Sequence, residues 1–382
     1  MLQSIIVYTL TGFILYALGR NLALRDARMQ RTFHSPTSFW CTETWLSILV
    51  FAIVAGLRYN VGVDHLMYLQ FYEDMEKQGW ITRETLEPGF SFIMKVFTEL
   101  NLHFFFFFAF LAAIQLFFIY FALRKQKQLL PYIGLFIMLN SYYLSLMNGI
   151  RQYIAICIFI FAIEFIQRRK LIPYVITILL ASLIHKSAYI LLPLYFVFYK
   201  PIHISRISPL MIIYILCIII GSSPTWVTNL TNLNNLYSFL GYENYVDSFE
   251  TQFEEFNSYN LGPRSLSVIF FHLMIIYYYP KIAQKFRSEQ KLPYYFLCFF
   301  IGVCLYNLVI NSIVAFIRPV LYFSFFSLIM AAYCALFLKT EHKYKSLFFF
   351  MLLICSYIYI SIYTVIADPN NSVTYKFFFD KL

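Results

Sequence analysis

At 382 residues the chain has the length of two or three soluble domains, yet it is 60% hydrophobic, 21% aromatic and only 13% charged, where a soluble protein carries roughly a quarter charged residues. That composition places it in a bilayer and sets aside nucleic-acid binding, because a net charge of +10 is what loops facing the cytoplasm require for orientation. The seven cysteines lie in or beside apolar runs without CxxC spacing, so neither a disulfide framework nor a metal site is indicated.

A hydrocarbon core of about 30 Å takes roughly 17 to 25 helical residues, fewer where a helix is broken among its neighbours. About twelve spans are expected on that scale, near 2–19, 41–57, 101–123, 129–147, 150–167, 171–184, 187–199, 207–222, 265–280, 292–311, 313–338 and 346–366. No Lys or Arg precedes the first and no small-x-small site clearly follows it, so it reads as a retained helix rather than a signal peptide. The expected fold is all-α, a single polytopic membrane domain over 1–382.

Basic residues cluster in alternate loops: Arg20, Arg25, Arg28 and Arg31, then Arg124, Lys125 and Lys127, then Arg168, Arg169 and Lys170, with further clusters at 200–206, 281–291 and 339–345. The positive-inside rule makes these loops cytoplasmic and turns both termini outward. Two larger loops then face the periplasm. One is 58–100, with a short amphipathic stretch from Pro88 to Leu100; the other is 223–264, rich in Asn, Tyr, Glu and Ser. The FFFFF run at 104–108 reads as lipid-facing or core packing. Spans 171–184 and 187–199 are too short for two full crossings and meet at Ile184-His185-Lys186-Ser187, a break tolerated where it is buried in protein or lines a wet cavity.

Four places outside this pattern carry chemistry. In Arg58-Tyr59-Asn60-Val61-Gly62-Val63-Asp64 an Arg at a span end is ordinarily a snorkelling anchor, but its planar fork suits phosphate and Asp64 offers a carboxylate base, with Tyr68 at helical spacing to support it. In Asn148-Gly149-Ile150-Arg151-Gln152 Gly149 can make the tight reversal, Arg151 starts a helix whose N-terminal dipole favours anions, and Gln152 adds a neutral hydrogen-bonding group. His185, a satisfied core residue in most apolar settings, sits in the broken hairpin as a candidate for proton transfer or for holding a phosphate or sugar hydroxyl. Arg318, about one turn inside its span, costs several kcal/mol unless paired or wet, and span interiors contain almost no carboxylate to pair it. Three arginines and a His thus gather on the outward side with Asp64 and Glu87 nearby, a set that suits a lipid-linked diphosphate. With no DxD pair in the outer loops, neither metal nor cofactor is demanded, since Arg can handle a leaving diphosphate electrostatically.

The Arg-Tyr-x-x-Gly-x-Asp block at 58–64 with Tyr68, the Glu87-Pro88-Gly89 turn, Asn148 to Gln152, His185-Lys186-Ser187, the Arg318 helix and Asp368-Pro369-Asn370, in that order over about 50–376, resemble the EpsG-like branch of Wzy polymerases of O-antigen and exopolysaccharide assembly. The resemblance implies a GT-C-like inner-membrane glycosyltransferase. It would transfer a glycan from one undecaprenyl diphosphate to an undecaprenyl-diphosphate-linked repeat unit on the periplasmic face. Carried onto this chain, it assigns Arg58, Arg151 and Arg318 to the diphosphates and Asp64 or His185 to the acceptor hydroxyl, with Tyr68, Glu87 and Gln152 in support. A chain-length regulator as partner follows from the family. A flippase of lipid-linked oligosaccharide and an O-antigen ligase are the alternatives.

Overall fold

The computed structural model describes residues 2–79, 86–139, 142–198, 207–223, 225–226, 262–311, 314–367 and 373–381. Among these there is no strand, only one isolated antiparallel bridge between Arg58 and Phe377. Seven helices are long and apolar enough to cross a bilayer, or eight if Lys127–Leu139 and Tyr142–Asn148, inclined by 70°, form one span. The polytopic helical expectation is met, but twelve full crossings are not. The remaining apolar helices, Thr42–Leu57, Leu171–Ile184, Lys186–Val197 and Ser208–Gly221, have only 10–17 residues, because hydropathy marks apolar runs without showing where the backbone breaks.

The chain divides into two compact units, 1–199 with 338–382, and 200–337. In the first unit α1 (Leu2–Phe33) runs 32 residues, about 48 Å at the helical rise. Arg20 to Arg31 are therefore helical rather than loop. α1 then leads to α2 (Thr42–Leu57), α3 (His65–Gln78), α4 (Pro88–Glu99) and α5 (Phe104–Ala122). The expected outer loop 58–100 thus holds two helices, of which only α4 matches the amphipathic stretch. After α6 (Leu130–Leu139) and α7 (Tyr142–Asn148) come α8 (Ile150–Gln167) and α9 (Leu171–Ile184), a return segment of 3-10 turn Lys186–Leu191, and α10 (Leu194–Val197). The Tyr174 hydroxyl donates to the Leu191 carbonyl at 2.6 Å, laying that return along α9. Helix association in a bilayer relies on close packing of small residues. A Cβ added at Gly134 would lie 2.7 Å from the Leu15 Cβ, and one at Gly19 2.7 Å from the Pro131 nitrogen, so α1 and α6 meet almost backbone to backbone.

The two ends of this unit differ in charge. At one end Lys127 donates to Asp26 at 2.7 Å, Arg25 pairs with Glu43 at 3.1 Å, and Glu164 holds both Arg124 at 2.7 Å and Arg168 at 2.6 Å. These are members of the basic loop set, gathered at the C-terminal ends of α1, α5 and α8. Helix direction carries Arg58, Asp64, Glu87, Arg151 and His185 to the opposite end.

The second unit contains α11 (Ser208–Gly221), α12 (Pro263–Lys285), α13 (Leu292–Val309), α14 (Val314–Ser324) and most of α15 (Phe326–Thr340); α16 (Tyr344–Ile366) returns to the first. The expected span 313–338 corresponds to α14 and α15, which together form one of the seven crossing helices, Phe316–Thr340. Inside the second unit the Tyr214 hydroxyl meets His272 Nδ1 at 2.9 Å. Residues 227–261 of the expected loop 223–264, and the Asp368-Pro369-Asn370 motif, lie outside the described residues.

Candidate functional site

The motif at 58–64 folds onto the hinge between α7 and α8. Gly62 has φ +92°, and a Cβ there would lie 3.5 Å from Asn148; the turn lets the Asp64 N–H donate to Asn148 Oδ1 at 2.9 Å. A side chain at Gly62 is strained in this left-handed region, so Gly62→Ala is expected to cost about 1–2 kcal/mol, read as a lowered melting temperature in detergent. Gly149, by contrast, has φ −78°, an ordinary backbone for any residue, so the reversal there does not need glycine. Gln115 of α5 closes the hinge from below, donating to the carbonyls of Leu146 at 2.9 Å and Ile150 at 3.4 Å.

A second approach brings α4 against the end of α9. A Cβ at Gly89 would meet the Leu183 carbonyl oxygen at 2.8 Å, and this contact carries Glu87 to the break at His185. Glu87 is the hub of what results. Its Oε1 lies 3.0 Å from His185 Nδ1 and accepts the Lys186 N–H at 3.1 Å, while its Oε2 accepts Arg151 Nη1. Arg151 Nε donates to the Tyr68 hydroxyl at 3.4 Å, and its guanidinium stands 5.9 Å from the Tyr68 ring and 5.8 Å from Phe90. Glu87 and His185 are each 7% exposed. Gln152 and Tyr68 are also buried, and Asp64 is half-buried.

Burial alone would raise the Glu87 carboxyl, but the hydrogen bond with His185 and the Arg151 charge outweigh it and bring it down to about 2. The folded value lies below the ordinary 4.5, so this cluster's stabilisation is full above about pH 4.5 and is lost as pH falls through about 2. Thermal unfolding followed from pH 7 to 2 is expected to show that loss in the wild type, with the slope in this window reduced in Glu87→Gln.

Arg58 occupies different surroundings. It is 0% exposed, donates through Nη1 to the Met147 carbonyl at 3.3 Å, and lies 5.2 Å from the centre of the Phe108 ring. Its Nε and Nη2 have no acceptor, and no carboxylate pairs with it among the described residues. His65 stacks on the same Phe108, ring centres 4.8 Å apart, and accepts the Asn60 N–H at Nδ1. Burial, and then the Arg58 charge, lower the His65 imidazole to about 2, so it is neutral. Arg318 belongs to the second unit, half-buried on α14 immediately before Pro319.

The residues singled out from sequence in the first unit, Arg58, Asp64, Tyr68, Glu87, Arg151, Gln152 and His185, are therefore brought to one end of it. Their partnerships are not those expected: Arg151 has Glu87 as counter-charge rather than needing an external anion, whereas Arg58 has none among the described residues. Sequence reasoning does not single out His65, Phe108, Gln115 or Tyr375. For His65 alone there is a local signal, its place directly after Asp64 in the 58–64 motif.

The model of the EpsG family matches residues 44–377. No curated protein and no solved structure matches the chain.

Proposed function

Because the chain belongs to the EpsG family, whose members are Wzy-like polymerases, we propose that it extends a polysaccharide by moving a glycan from undecaprenyl diphosphate to the terminal sugar hydroxyl of a lipid-linked repeat unit at the periplasmic face of the inner membrane. The observation that supports this best is the Glu87 carboxylate held between Arg151 and His185. A carboxylate at Nδ1 fixes the imidazole tautomer and steadies the imidazolium that forms when Nε2 takes a proton. His185, one of the two candidate bases, has such a partner in Glu87; Asp64, the other, stands half-buried at the hinge.

In the proposed step the acceptor oxygen bonds to the anomeric carbon as its proton passes to His185. The bond from that carbon to the diphosphate breaks, and undecaprenyl diphosphate leaves with the electron pair. Arg58 faces the charge that develops on it, and the family resemblance assigns Arg318, in the second unit, to a diphosphate as well. Arg151 offers five N–H donors, so donors remain for a phosphate oxygen after Glu87 and Tyr68 are served. Electrostatic stabilisation of this kind needs no metal ion.

Deletion of the gene separates this function from its neighbours. Loss of a polymerase leaves single repeat units on the carrier or core, loss of a ligase leaves none attached, and loss of a flippase traps precursor inside. Single units are the expected result; unchanged long chains would refute the polymerase.

A further inference from the structure

Residues 373–377 close over Arg58. The Arg58 backbone bridges to Phe377, and the Tyr59 N–H donates to the Lys376 carbonyl at 2.8 Å. The Tyr375 N–H donates to Ser4 Oγ at 2.9 Å, the Tyr375 hydroxyl to the Val54 carbonyl at 2.6 Å, and the Tyr8 hydroxyl to the Val373 carbonyl at 2.7 Å. Beneath this cover lies a permanent positive charge with two unmet N–H donors. Phe108 attracts the charge but has no lone pair for the donors. A buried guanidinium left so is costly unless an acceptor with negative charge enters.

What covers Arg58 is not equally fixed on every side. The 59–64 turn and the Met147–Asn148 hinge are tied to each other through the Asp64 N–H and Asn148. The segment 373–377 is tied instead to α1, α2 and the Tyr59 amide, by hydrogen bonds that water can replace when it lifts and by the Tyr375 ring, edge-on to Tyr8 at 5.9 Å.

We propose that residues 373–377 are a lid over a phosphate seat at Arg58: when they lift, Nε and Nη2 take two oxygens of one phosphate group. That the anion is a lipid diphosphate rests on the polymerase reading; free pyrophosphate presents the same oxygens. Fork geometry matches a phosphate edge in a way a point charge does not.

Ser4 Oγ and the Tyr375 nitrogen are close enough that cysteines at these two positions come within disulfide reach. In a Cys355→Ser background, Ser4→Cys with Tyr375→Cys makes a full-length protein whose lid is locked by diamide and freed by a phosphine reductant. Inorganic pyrophosphate and undecaprenyl diphosphate are titrated into both forms in detergent. Locking is expected to weaken binding about tenfold or more, reversibly. The seat stands whether pyrophosphate alone or both ligands bind, and tighter binding of the lipid assigns it to the lipid diphosphate. Equal affinity of locked and free forms overturns the lid, and undiminished binding by Arg58→Met overturns the seat.

A chain ending at Ala367 gives an independent check. With the lid absent pyrophosphate binds about tenfold tighter; a folded truncated protein that loses binding would contradict the lid and make the segment a support for Arg58. Because neither assay involves a glycan, failure of the polymerase reading on chain length leaves these affinities unaffected.

Discussion

Replacing Glu87 with Gln is expected to cut chain extension by about 100- to 10,000-fold, the range for a general-base function. Gln keeps the shape and an oxygen for the Lys186 N–H, but it cannot carry the charge that His185 and Arg151 share. Two effects follow from one substitution. His185 loses the partner that steadies its protonated form. Arg151, whose side chain is only 18% exposed, keeps its charge without a counter-charge, and removing one partner of a buried pair costs about 3–5 kcal/mol; partial exposure puts the cost at the lower end. Glycan ladders from a complemented deletion strain, read beside membrane abundance and melting temperature, measure both. Full-length ladders from the variant would reduce Glu87 to a packing contact.

Arg58→Met is expected to do the opposite to stability while also removing function. A buried charge without a carboxylate is a standing cost, and replacing buried ionic groups with apolar side chains of similar volume is often neutral or stabilising by about 1–4 kcal/mol. The variant is therefore expected to melt at the same or a higher temperature and to leave single repeat units. Arg58→Lys is not expected to rescue it, since a point charge lacks the fork. An Arg58→Met protein that fails to accumulate, or that melts well below wild type, would mark Arg58 as the anchor that an arginine at a span end ordinarily is.

The sequence makes the bilayer setting legible because its signal is additive along the chain: apolar runs and alternating basic clusters need no knowledge of distant contacts. It also shows that 58–64, Glu87, 148–152 and 185–187 stand apart from that pattern. What it cannot show is pairing. Asp26 looks like one acid among arginines, but it faces inward to Lys127, 101 residues away, and that contact belongs to a helix longer than hydropathy requires. Arg151 and Arg58 look alike in sequence. One meets Glu87 only because Gly89 lets α4 press against Leu183, and the other stays uncompensated. Phe108 sits in a run that reads as packing, and packing is indeed where Phe107 and Phe108 are buried while Phe106 is exposed. Yet the same ring serves Arg58 and His65. Tyr375, near the chain's end, has no local signal at all, since its partners are Ser4 and Val54.

The polymerase mechanism meets its sharpest test when the purified protein is reconstituted with its undecaprenyl-diphosphate-linked repeat unit and the undecaprenyl diphosphate released per linkage formed is counted, for the wild type and for His185→Ala. One lipid per linkage is the predicted wild-type result, with release by His185→Ala slowed by about 100-fold or more across pH 6–8. Release at the wild-type rate with His185 gone would contradict the mechanism, because no imidazole would then be taking the acceptor's proton.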